Sequence, residues 1–183
     1  VPLADKAYLS PNGKMIAVTK YSNIHGDEGF SLWDLETKRE IFTSSEAVYS
    51  ISFSPDGRFL AAGTRNKNLE LLDISNPSDP TFVYLEDKAG NTGGISQIQF
   101  SHDGRYLFAG SWDKVINIWQ IPEGQLLHSV TESFAAYFLV SPNQKYMAYI
   151  DSHNITRLIF LDVTPLLNSE FHSTIAPYVV ENT

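Results

Sequence analysis

The chain has no cysteine among its 183 residues, so disulfides and thiolate metal sites are excluded and redox compartment cannot be read from cysteine use. Basic residues are few: 13 Lys and Arg stand against 21 Asp and Glu, a formal net charge of −8, with no basic run. Affinity for phosphates needs clustered Lys and Arg, so neither nucleic acid nor an anionic membrane is expected as the main ligand. No apolar run approaches the length of a membrane span. No segment has a useful helical period, although "TPLLNSEF" could form a turn of helix. No signal peptide is visible, and cytoplasmic placement is expected. Val1 stands directly ahead of a repeat, so an upstream segment is expected to precede it.

Catalytic signatures are also missing. There is no Gly-x-Ser-x-Gly elbow, and "GNTGG" lacks the lysine and following hydroxyl of a phosphate loop. The five histidines show no metal-ligand spacing. The best metal candidate is "IHGDEG", which places His25, Asp27 and Glu28 in one loop, and it reads more simply as a solvated turn. His102, in a turn beside Asp103, reads as a surface histidine. Asn154 opens a glycan-acceptor triplet, which has no meaning without secretion. No catalytic residue, metal or cofactor is expected.

Repetition is what the chain does have. "SPNG", "SPDG", "SHDG" and "SPNQ" open at Ser10, Ser54, Ser101 and Ser141, at intervals of 44, 47 and 40 residues. Each opening leads into an apolar stretch ("KMIAVT", "RFLAAG", "RYLFAG", "KYMAYI") and then a second one ("SLWDL", "ELLDI", "NIWQI", "IFLDV"). Before the turns, "VYSISFS" and "ISQIQFS" alternate, the period of a half-buried strand. Asp-Gly and Asn-Gly tolerate positive φ and favour tight hairpins. Small residues at Ala61, Ala62, Gly63, Ala109 and Gly110 suit close packing between sheets. Looser outer strands follow, such as "TFVYLE" and "QLLHSV", giving four strands per unit. With 43% hydrophobic and 13% aromatic residues, the chain can bury a real core.

"SPDGRFLAAGTRNKNLELLD" and "SHDGRYLFAGSWDKVINIW" resemble blades of WD-repeat β-propellers. The resemblance runs from about Ala7 to Val163 and implies an all-β propeller of four-stranded antiparallel blades. Blade 1 is expected at 7–46, blade 2 at 47–88, blade 3 at 94–133, and blade 4 with a C-terminal strand at 134–183. Ser111, Asp113 and Trp119 match three family places, with Trp33 and Asp34 as the corresponding Trp-Asp of the first repeat. The family's Gly-His is absent throughout, and Gln120 replaces the final Asp of the third repeat, so the blades are degenerate. The first and last repeats also resemble blades of propellers attached to prolyl peptidases and of the TolB type.

The repeat period is that of one blade, and family rings usually close with about seven. Four blades would leave two apolar ends bare, and exposed sheet faces invite association. The missing blades are expected from upstream sequence, with a second copy or another chain as the other sources. Family propellers bind protein or peptide partners on the face carrying the loops from second to third strand and from outer to inner strand. There the resemblance places Trp112, its counterpart Arg65 and, less directly, Tyr21 and Ser152. Tyr49, Ser96 and Phe134 stand at the starts of inner strands on the same face. The long loops "KYSNIHGDEG" and "DKAGNTGG" fall there too. The implied function is a non-enzymatic interaction scaffold. The alternatives are a propeller gating a separate peptidase-like catalytic domain and a sensor module of a signalling or defence protein.

Overall fold

A computed structural model describes residues 3–22, 26–66, 69–85, 93–131, 137–151, 157–162 and 178–180. Among the described residues sixteen strands form four separate antiparallel sheets, each a meander in chain order. The first sheet holds β1 (Leu3–Leu9), β2 (Met15–Ser22), β3 (Gly26–Asp34) and β4 (Arg39–Ser44). The second holds β5 (Val48–Phe53), β6 (Phe59–Thr64), β7 (Leu69–Asp73) and β8 (Thr81–Phe82). The third holds β9 (Ile95–Phe100), β10 (Tyr106–Ser111), β11 (Ile116–Gln120) and β12 (Gln125–Val130). The fourth holds β13 (Phe138–Val140), β14 (Tyr146–Asp151), β15 (Arg157–Asp162) and β16 (Tyr178–Val180). These are propeller blades. The stretch "TPLLNSEF" lies outside the described residues.

The repeated serine explains how each sheet begins. In the second sheet the Phe59 N–H donates to Ser54 Oγ (2.8 Å), whose hydroxyl donates to Asp56 Oδ1 (2.5 Å). Asp56 Oδ1 also accepts the Arg58 N–H (3.0 Å). The same three bonds recur around Ser10 and Asn12, Ser101 and Asp103, and Ser141 and Asn143. Serine and Asx are therefore required two residues apart, because together they satisfy the backbone donors that the turn leaves open. A glycine follows the Asx residue in three turns, with φ of 69–72° at Gly13, Gly57 and Gly104; the fourth places Gln144 there at φ 58°.

At Asp103, partial burial pushes the carboxyl up. The Ser101 hydroxyl, the Arg105 N–H and guanidinium, and the Gln144 amide outweigh it and hold the group at about 2. Directly after three of these turns, Arg58, Arg105 and Lys145 lie over the rings of Phe59, Tyr106 and Tyr146 at 4.8, 5.6 and 5.2 Å.

Three buried clusters join neighbouring sheets. Met15, Ala17, Phe30 and Leu32 meet Ile51, Leu60 and Leu72 between the first and second sheets. Phe59, Ala61 and Leu71 meet Ile95, Leu107 and Trp119 between the second and third. Phe108, Ile116 and Ile118 meet Phe138, Val140 and Met147 between the third and fourth. Alternate residues of one strand thus serve opposite neighbours, as the period of two requires. The third and fourth sheets are also clasped. Gln97 and Gln99 each use a side-chain amide to accept from and donate to the backbone of β13, at Phe138 and Val140 respectively. Their amides stand where another strand would pair.

No cluster among the described residues joins the fourth sheet to the first. Among the described residues, large apolar side chains are exposed on both outer faces. Leu9 is 61% exposed where Phe100, its repeat equivalent, is 6% exposed; Trp33 is 36% exposed where Trp119 is 2%. At the other end Leu139 (69%) and Tyr146 are exposed, on the side of their strands opposite Phe138, Val140 and Met147. Trp33 holds its strand position but belongs to no buried cluster among the described residues. Asp34 caps the following turn, accepting the Thr37 N–H at 2.7 Å, and that bond lowers its carboxyl pKa.

Two expectations on strand extent change. The first strand starts at Leu3, ahead of the visible repeat. The "TFVYLE" strand shortens to Thr81–Phe82. Its chain leaves the edge of β7 and runs against the third sheet, where a Cβ on Gly124 would sit 1.9 Å from the Tyr84 carbonyl oxygen.

Candidate interaction surface

Trp112 opens the turn between β10 and β11. The Ser111 N–H donates to the Val115 carbonyl (3.0 Å) and the Lys114 N–H to the Ser111 carbonyl (3.1 Å). Lys114 takes a left-handed φ of 71° to complete the turn. Buried Ser111 donates to the Asp113 carboxylate, and Asp113 Oδ2 accepts the Gly93 N–H at 3.2 Å. The Trp112 N–H donates to the Gly94 carbonyl at 3.0 Å. The turn is therefore fixed to the 93–94 segment, and the Trp112 ring is held by its backbone while its side chain stays 52% exposed. Arg65 occupies the same place in the second sheet, its N–H donating to the Ala47 carbonyl at 2.7 Å.

The two turns and β5 converge on Gly94. A Cβ there would lie 3.1 Å from the Arg65 carbonyl oxygen, 3.1 Å from Tyr49 Cε2 and 3.4 Å from Trp112 Cδ1. Tyr49 and Trp112 meet edge to face with ring centroids 6.4 Å apart, and Trp112 meets Tyr137 in the same way at 6.3 Å. The result is a row of three rings drawn from the second, third and fourth sheets, with the exposed Arg65 side chain beside it.

Trp112, Arg65 and Tyr49 thus come together as sequence equivalence places them. Ser96 does not join them as an exposed group. It is buried, and its hydroxyl donates to the Gly110 carbonyl at 3.1 Å, so it is committed to the sheet and offers no contact to a partner. Tyr21 lies in β2, opposite Leu3 and Asp27, and its side chain is outside the described residues. Phe134, Ser152, His25 and Asn154 also fall outside them, as do the side chains of Asp27 and Glu28. Tyr137, 57% exposed, was missed. The place of Tyr49 and Ser96, five residues before the repeated serine, falls in sequence on Ala136, one residue short of it, so strict equivalence passed it by. Trp119 is a core residue between the second and third sheets.

The charges divide clearly. On the ring-bearing side the Glu46 carboxylate accepts the Asn66 amide at 2.6 Å, and that of Asp113 is held by Ser111 and Gly93. Burial pushes the Glu70 carboxyl up; the Ser44 hydroxyl opposes this and nearby Glu46 adds to it. Among the described residues no group of three or more His, Cys, Asp or Glu could hold a metal ion. No helix among them is long and apolar enough to cross a membrane.

Residues 36–73 and 81–120 match the family model described as WD domain, G-beta repeat. Two WD repeats are detected over these residues. Each matched WD unit starts on or just before an outer strand, β4 or β8, and ends on the third strand of the next sheet, β7 or β11. The sequence unit is therefore offset by one strand from the sheet, which links successive blades covalently. WD-repeat propellers are protein-interaction modules and are generally not catalytic. A solved chain of Kuenenia stuttgartiensis hydrazine synthase superimposes on 99% of this chain with a TM-score of 0.69 and 16% identity. At that identity the likeness is one of fold. The superposition covers 50% of that chain, so the present chain spans about half its length.

Proposed function

We propose that the four WD-type blades are one arc of a larger ring, of about seven or eight blades, that serves as a non-enzymatic, cytoplasmic platform for protein or peptide partners. The blades divide at 7–46, 47–88, 94–133 and 134–183, and the remaining ones come from upstream sequence of the same polypeptide. One observation carries the binding reading: Trp112 is fixed by its turn, flanked by Tyr49 and Arg65, and left half exposed. Trp, Tyr and Arg dominate the energetics of protein interfaces, and a rigid scaffold lowers the ordering cost of binding.

The test is comparative capture from the native cell extract, using wild-type protein and the Trp112→Ala/Arg65→Ala variant at matched concentrations. Two interface anchors lost together should weaken binding by about tenfold or more, with the unfolding midpoint little changed. Recovery of the same proteins in the same amounts by both would remove this reading.

A further inference from the structure

The same surface has a charge character that narrows its partner, an inference that rests on the binding reading above. Arg58 is bound to the Asp73 carboxylate at 2.9 Å, and Arg105 to that of Asp103 at 2.5 Å. Both lie on the opposite side of the molecule, in the turns before β6 and β10. Arg65, at the far end of β6, is exposed and pairs with no carboxylate among the described residues. Among the described residues, two acids on this side already accept hydrogen bonds: Glu46 from Asn66, and Asp113 from Ser111 and the Gly93 N–H. Lys114, two residues beyond Trp112, is also exposed. A chain of net charge −8 thus presents the exposed Arg65 beside its ring row, while the carboxylates of Glu46 and Asp113 on the same side already hold donors of their own.

We propose that this surface selects acidic peptide segments in which a carboxylate stands next to aromatic or large apolar side chains. Arg65 takes the carboxylate through charge-assisted hydrogen bonds, and Trp112 with Tyr137 takes the ring. Alternate side chains of an extended strand lie about 6.6 Å apart, close to the ring spacings of 6.4 and 6.3 Å. Two apolar residues separated by one other can therefore follow the row. A cationic segment gains the ring faces but meets Arg65 at short range.

The probes are two synthetic tetrapeptides, acetyl-Asp-Phe-Ser-Phe-amide and acetyl-Lys-Phe-Ser-Phe-amide. They are titrated into the intact chain while the Trp112 indole N–H resonance is followed, assigned through Trp112→Phe. The acidic peptide is expected to bind about tenfold more tightly. Arg65→Gln should remove that preference without altering the lysine peptide's affinity, and doubled salt should narrow it. Trp112→Phe, in which binding is followed at the backbone amide of Gly94 instead, should weaken both peptides together. Equal affinities, a lysine preference, or no shift at Trp112 with either peptide up to millimolar concentration would each overturn the acidic selectivity. Capture of whole partners that still depends on Trp112 and Arg65 would then leave the binding reading standing.

Discussion

Trp119→Ala is expected to cost about 3–5 kcal/mol of unfolding free energy, whereas Trp33→Ala should cost only about 1–2 kcal/mol. Both residues occupy the same place on the third strand of a sheet, and both face the preceding sheet. Trp119 finds Phe59, Ala61 and Leu71 there and is 2% exposed. Trp33 joins no such cluster among the described residues and is 36% exposed. The difference is set by whether a neighbour is present, since the residue type and strand position are shared. Urea unfolding of the two variants, read as midpoints at constant slope, measures it. Equal losses would mean that burial by the preceding sheet is not what separates the two sites.

The second large effect concerns sheet spacing. A Cβ on Gly63 would lie 2.5 Å from Ile95 Cγ2, 2.7 Å from its Cβ and 3.1 Å from its carbonyl oxygen. These atoms belong to a β-branched core residue and to backbone, so they cannot swing aside as a flexible side-chain end would. Gly63→Ala should therefore force the second and third sheets apart and cost about 1–3 kcal/mol. Ile95→Ala removes the nearest obstructing methyl, so the double variant should be more stable than the sum of the single losses implies, by more than about 0.5 kcal/mol. Strict additivity in a double-mutant cycle would show that this contact does not set the spacing.

Much of the fold was legible because its signals are local. The Ser-x-Asx pair repeats wherever a turn must satisfy open backbone donors, and alternation of apolar residues marks strands with a buried face. Apolar exposure at the two ends was expected from the repeat number, since sheets of this kind hide their faces only against each other, and Leu9 and Leu139 are exposed there. The interaction surface was read from equivalence to Trp112, which located Arg65 and Tyr49 because their turns and strands are copied between repeats. Ser96 escaped because a small hydroxyl at the position of Tyr49 can reach a backbone carbonyl and withdraw into its sheet. Gln97 and Gln99 read only as the polar half of an alternating strand. Their bonds run to residues 41 positions away, at Phe138 and Val140, and no local pattern reports such a distance. The shortening of β8 has a similar origin. The strand's continuation is drawn off by the close approach to Gly124 on a different sheet.

Sedimentation of this chain at micromolar concentration asks most directly whether a row of blades can stand alone with Leu9 and Trp33 uncovered on one side and Leu139 and Tyr146 on the other. Particles heavier than one chain are expected, because those side chains will find cover in a neighbour when no further blades supply it. A compact, stable particle of single-chain mass, with its Trp33 resonance shielded from added quencher, would contradict the open row.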